Sequence, residues 1–366
     1  MNKNKICPSL LRVKTLNKKQ TEKVFVCSDN FDETKKFLSS NNYIYTPYRF
    51  AGCFCVQADL EDLKILSNQQ DVQFIHTNAN VQALTHEKNI INLNTLTENK
   101  FLGQGQTICF IDTGLHPHLD FVFPKCRIVK FVDLINNKSV PYDDNGHGTF
   151  VAGVACGNGI FNPSKRGFAP SANIVAIKAL SKNGNSDSNI ILDAMQWVFE
   201  NHKVYNIKIV CMSFGAEVIN GSDPLSRGAE SLWKRGITVV SAAGNSGPEK
   251  QTIKSPGNNP HIITVGALDE TTMNPAEFSS RGPTIYGHKP DLLAPAVNIT
   301  SCNNLTLPYT KMSGTSVATP IVAGICAIIL SRNPKMTNKQ IKQFLLSHCK
   351  RITGDVDCEG AGYLCF

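Results

Sequence analysis

From residue 103 onward the chain alternates short runs rich in Val and Ile with longer runs of helical character, and few folds accept that rhythm. The strand-like runs are Thr107 to Ile111, Ile174 to Ala179, Ile207 to Met212, Thr238 to Ser241 and Ile262 to Val265; helical stretches such as Ser188 to Asn201 and Pro224 to Lys234 lie between them. Strands that are apolar throughout must be covered on both faces, and parallel pairing needs connections of helix length. The pattern predicts an α/β domain with a parallel sheet and helices on both faces. A chain of 366 residues holds one such domain of about 250 to 280 residues and something smaller.

Three polar triplets interrupt the apolar runs. Asp112-Thr113-Gly114 ends the first strand, His147-Gly148-Thr149 opens an apolar helical run from His147 to Val154, and Gly314-Thr315-Ser316 precedes the apolar stretch Val317 to Leu330. Together they supply an acid, a base and a nucleophile. A hydroxyl attacks an amide only when an imidazole takes its proton and a carboxylate holds that imidazole in one tautomer. Asp-Thr-Gly also serves aspartic proteases, but those need a second such triplet to share the proton, and the sequence has none. The N-terminus of a long helix suits Ser316, because the helix dipole favours developing negative charge there, and Pro320 is expected in the first turn.

The blocks Ile108 to Gly114, Asn145 to Gly153 and Ser313 to Pro320, in that order, resemble the signatures of the subtilisin-like serine peptidases. A fourth, Ala242-Ala243-Gly244-Asn245-Ser246-Gly247, is similar to the family segment that carries the oxyanion asparagine. The resemblance spans roughly residues 85–366. It implies that Asp112 orients, His147 acts as base then acid, Ser316 attacks, and Asn245 joins the Ser316 N–H in binding the oxyanion. Losing such a donor costs about two to three orders of magnitude in turnover. It also implies a substrate edge at Ser213, Phe214 and Gly215 that pairs with an extended peptide, and a side-chain pocket between that edge and Ala242, Ala243 and Gly244. Thr252 to Gly257 departs from the family pattern, with Lys254 where a small residue is usual near the pocket base. Either Lys254 points to solvent, or it reaches the pocket and favours acidic or polar side chains.

Residues 23–77 read as a βαββαβ unit of ferredoxin-like type, a small α+β domain. Its position resembles that of the family's inhibitory propeptide, whose tail occupies the cleft; a permanent regulatory domain is the alternative. The expected division is a basic arm at 1–22, this domain at 23–77, a linker and processing region at 78–89 with Leu84 as candidate residue before the cut, and a peptidase domain at 90–366.

The net charge of +8 is concentrated in residues 1–23, with seven basic residues against one acidic, and reads as a solvated tail rather than a nucleic-acid footprint. No secretory apolar core follows, and no run reaches the roughly 18 apolar residues of a membrane span. A cytoplasmic location is expected, and no membrane or nucleic-acid partner. Thirteen scattered cysteines suit buried thiols in a reducing interior better than a disulfide framework. The loop Gly157 to Arg166, where many subtilisins bind calcium, offers only Asn, Ser and backbone oxygens. Asp143 and Asp144 are the best acidic pair, so no cofactor and no essential calcium are expected. Polypeptides are the expected substrates and the N-terminal domain the expected inhibitor. A latent pseudo-enzyme acting as a binding partner, and an ester hydrolase with the same triad, remain the competing readings.

Overall fold

In the computed structural model, which describes residues 2–8, 10, 21–83, 101–218 and 223–365, the N-terminal domain has the predicted βαββαβ order. Its elements are β1 (Glu22–Ser28), α1 (Phe31–Ser40), β2 (Tyr45–Tyr48), β3 (Cys53–Ala58), α2 (Leu60–Ser67) and β4 (Val72–Thr77). The four strands form an antiparallel sheet in the order β2-β3-β1-β4. Asn30 caps α1 through the Glu33 N–H, and Asp59 with Asp62 forms a capping box on α2. Side chains alternate across β1. Val24 and Val26 join Leu38, Leu63 and Leu66 in a small local core. Phe25 and Cys27, with Cys53 and Cys55, face the other way and belong to the main core of the molecule.

The solvated-tail expectation needs correction at residues 2–8 and 10. Ile6, Cys7 and Leu10 are buried; the Cys7 N–H donates to the Ile75 carbonyl at 2.9 Å, and Lys5 Nζ to that of Gln69 at 2.9 Å. These apolar side chains cover the outer edge of β4, a protection that an edge strand needs. Residues 11–20 lie outside the described residues.

The larger domain follows β5 (Asn80–Ala83) and contains β6 (Thr107–Asp112), β7 (Ile128–Asp133), α3 (His147–Cys156), β8 (Asn173–Lys178), β9 (Asn185–Asp187) and α4 (Ser188–Asn201). Next come β10 (Ile207–Met212), β11 (Phe214–Ala216), α5 (Pro224–Lys234), β12 (Thr238–Ala242), β13 (Ile263–Asp269) and β14 (Asn274–Pro275). The chain closes with β15 (Leu292–Pro295), β16 (Ile299–Cys302), β17 (Tyr309–Met312), α6 (Thr315–Arg332), α7 (Asn338–Ser347), β18 (Cys349–Lys350) and β19 (Tyr363–Leu364). Strands β15-β13-β12-β10-β6-β8-β7 run parallel, with β19 and β18 extending one edge and β14 flanking β13. Helices α3 and α6 pack together on one side, and α4 and α5 on the other. Strands such as β6 and β12 are buried at every position, because helices cover both faces. Helix α6 is long and apolar enough to cross a membrane, yet it is the central core helix and mostly buried. Pro320 lies inside it rather than in its first turn, and removes one intrahelical donor.

The N-terminal sheet lies over α4 and α5. Tyr48 Oη donates to Asp193 Oδ1 at 2.8 Å, Ser231 Oγ donates to the Phe50 carbonyl, Arg227 Nη1 donates to Gln73 Oε1 at 3.1 Å, and Phe50 meets Phe199 at 5.5 Å between ring centroids. The thirteen cysteines form no disulfide and most are buried.

Candidate active site

Asp112 is the last residue of β6, at the carboxyl end of the parallel sheet, where ligands collect in open sheets of this kind. Its Oδ1 accepts the Thr113 N–H and lies 2.7 Å from His147 Nδ1; both side chains are buried. His147 is the first residue of α3. That contact requires the acid turn and the base helix to touch. A Cβ on Gly148 would overlap the Gly114 carbonyl oxygen, so only glycine allows the approach. Thr113 Oγ1 bridges the two, accepting the Gly148 N–H at 2.9 Å and donating to Asp143 Oδ1 at 2.9 Å.

Ser316 stands in the first turn of α6, buried, after Gly314, whose φ of +148° suits glycine alone. Asn245 follows β12 across Ala243 and Gly244. Its Oδ1 accepts from the Thr315 N–H at 3.0 Å and from Thr315 Oγ1 at 2.9 Å. Those bonds fix which end of the amide is oxygen. Nδ2 is left buried with no hydrogen-bond partner. A buried donor in this state carries a desolvation cost that only an arriving acceptor relieves, and it sits beside the segment bearing Ser316. The arrangement can therefore supply a base, a hydroxyl and a preorganised donor for an oxyanion.

The expected substrate edge is already paired. β5 lies between β11 and β9, antiparallel to both: Phe214 opposite Ala83, Gly215 opposite Gln82 and Ala216 opposite Val81 on one side, Val81 opposite Ser186 on the other. The expected linker at 78–89 thus begins as a strand; Leu84 lies outside the described residues. Ser213 and the Phe214 ring are buried, so this edge offers its backbone. Ala216 and Ser255 exchange backbone hydrogen bonds at 2.9 Å, and the Lys254 N–H donates to the Ala243 carbonyl at 2.8 Å, joining the edge to the Ala242–Gly244 wall. Lys254 lies along the Gly244 side of that wall. Its stem lies against Gly244, where a Cβ would come within 2.5 Å of Cγ, and its ammonium pairs with exposed Glu217.

The acidic pair suggested for a cation is engaged elsewhere. Asp143 accepts from Thr113 Oγ1, the N–H groups of Asn145, Gly146 and Thr149, and Thr149 Oγ1; Asp144 pairs with Lys178 at 2.6 Å. Among the described residues, His118, Asp120 and Cys302 also converge. Here too the ligand atoms are spent: Asp120 accepts from Tyr309 Oη, Gly159 N–H and Ile160 N–H, and His118 bonds the Pro308 carbonyl and the Asp120 N–H. This cluster pins the Gly157–Arg166 loop directly. Sequence reasoning passed over Thr113, Asp143 and Thr315 as site-builders. The available signal was position: Thr113 and Thr315 adjoin candidate reactive residues, and Asp143 stands four residues before His147.

A sequence profile described as the subtilase family (Peptidase S8) matches residues 103–362. The chain is 40% identical over 336 residues to the serine protease AprX of Bacillus subtilis (strain 168), covering 81% of this chain and 74% of that one. It is 34% identical to a thermostable alkaline protease of Halalkalibacterium halodurans, covering 77% and 73% respectively. Its fold is similar to a cold-adapted subtilisin-like serine proteinase, with a TM-score of 0.61 at 28% identity over 76% of this chain and 93% of that one. With its parallel sheet, buried acid–base pair and helix-borne serine, the chain belongs to the subtilase family and is a subtilisin-like serine endopeptidase.

Proposed function

We propose that Asp112, His147 and Ser316 form the catalytic triad and that Asn245 and the Ser316 N–H bind the oxyanion. Asp112 holds His147 with Nδ1 protonated; Nε2 takes the Ser316 proton as Oγ attacks the scissile carbonyl, and the imidazolium then protonates the leaving amine. Water hydrolyses the acyl-enzyme by the same base. The observation that carries this reading is the 2.7 Å His147–Asp112 contact, with the buried, unpartnered Nδ2 of Asn245 in support.

The N-terminal domain acts on this reading as an intramolecular inhibitor. β5 occupies the edge that an extended substrate would pair with. Autoprocessing within residues 77–89, with Leu84 before the cut, releases it. The enzyme works on polypeptides in the cytoplasm, without an essential metal. Full-length protein incubated with a fluorophosphonate should be labelled at Ser316 and lose roughly its first 80 residues, whereas Ser316→Ala should do neither. Labelling elsewhere would overturn the triad. A chain that the probe labels but that stays uncut when incubated without the probe would overturn the processing and leave a permanent regulatory domain.

A further inference from the structure

Lys178, the last residue of β8, is fully buried. A cation away from water is costly unless each of its donors is satisfied. Lys178 Nζ donates to the Thr113 carbonyl at 2.6 Å, the Leu180 carbonyl at 3.0 Å and Asp144 Oδ1 at 2.6 Å. These three acceptors belong to three segments of the site. Thr113 follows Asp112, and Asp144 lies in the loop that delivers His147. Leu180 begins the stretch that leads into β9, one wall of the strand cleft. The backbone repeats the connection: Lys178 is the register partner of Asp112, and the N–H groups of Ala179 and Leu180 donate to the Asp112 carbonyl. Asn145 Nδ2 reaches the Lys182 carbonyl at 2.9 Å from the same loop.

We propose that Lys178 is a positioning residue of the hydrolytic reaction. Its ammonium holds the acid turn, the base loop and the β9 segment in one register, and its charge, balanced by Asp144, sets the field in which the His147 imidazole titrates. This rests on the assignment of Asp112 and His147 as acid and base. The groups facing the ammonium are Asp144 and the Tyr142 ring at 5.3 Å to its centroid, and the register partners of Lys178 on β7 and β6 are Asp133 and Asp112. Asp133 is occupied by the Tyr142 hydroxyl and three backbone N–H groups. Asp143 is spent on its own loop and on Thr113 Oγ1. Asp144 is therefore the partner whose removal unbalances the pair.

The test uses full-length Lys178→Met, Asp144→Asn and the double variant, processed in trans by the unmutated enzyme and counted by exhaustive fluorophosphonate labelling. Lys178→Met should lose about ten- to a hundredfold in kcat, as small misplacements of reacting groups do, with KM changed less than threefold. Its acid limb in kcat/KM should move up by about one pH unit, because the unbalanced Asp144 carboxylate favours the imidazolium. Asp144→Asn leaves a bare cation and should move the limb down. The double variant should restore the limb while kcat stays low. A folded Lys178→Met with unmutated kcat and limb would overturn the proposal. Where Lys178→Met does not fold, an unmoved limb in Asp144→Asn would do so. Ser316→Ala, run alongside, separates the two readings: turnover close to that of the unmutated enzyme there refutes the triad, whereas a Ser316→Ala reduced by orders of magnitude beside a normal Lys178→Met refutes only the role of Lys178.

Discussion

The two sheets of this molecule solve burial in different ways. The parallel sheet of the peptidase domain is enclosed by its own helices, α3 and α6 on one side and α4 and α5 on the other. The N-terminal sheet supplies helices for one face alone. Its second face, with Phe25, Cys27, Cys53 and Cys55, is buried only because α4 and α5 lie beneath it. One domain carries its whole core within itself and the other borrows half of its core from its neighbour. Separating the two domains would therefore bare that apolar face to water.

The largest effect expected is at the nucleophile. Ser316→Ala should reduce peptide turnover by about a millionfold while leaving the N-terminal domain docked, so size-exclusion and mass measurements of that variant should show one uncut chain. Next, Asn245→Ala should cost about 10²–10³ in kcat with little change in KM; a change confined to KM would assign Asn245 to substrate binding instead. At the seam between the sheets, Tyr48→Phe removes the hydrogen bond to Asp193 and should weaken inhibition by the N-terminal domain, added in trans, by about tenfold. Glu217→Gln frees the Lys254 ammonium and should raise preference for acidic side chains before the cut by several-fold, read in a peptide library; an unaltered profile would return Lys254 to a purely structural place.

The smallest effect is one of pH. Burial raises the Asp193 carboxyl above its ordinary value, outweighing the Tyr48 hydrogen bond and the Lys23 charge. Where the proposed inhibitory domain supplies that burial, docking takes up protons, and linkage requires inhibition to be fully present below the ordinary carboxylate value and to weaken as pH rises through the raised one. Asp193→Asn should flatten inhibitor affinity across the window between the ordinary and the raised value.

Much of this was legible because local pattern and tertiary role agree. Apolar runs covered on both faces announce parallel strands, and Asp112, His147 and Ser316 stand where such strands and helices begin or end. The N-terminal βαββαβ order followed from its own periodicity. What the chain concealed depends on long-range pairing. Nothing local to residues 80–83 says that they lie between β9 and β11, and nothing near Ile6 says that it bridges Ile75. Lys254 and Lys178 look alike as letters; one lies along a pocket wall and the other is sealed inside the sheet, a difference set by residues far away in sequence.

The strand position held by β5 has a further consequence. A segment hydrogen-bonded along both margins has none left to share, so any polypeptide lodged there must first surrender its former neighbours. On the proposed triad, a stretch standing where Val81 and Gln82 are paired on both sides has to come away from whatever sheet or helix it occupied before reaching the serine. Such a cleft gauges how readily a protein lets go of its own shape, and rigid, well-folded proteins would pass it untouched whatever their sequence.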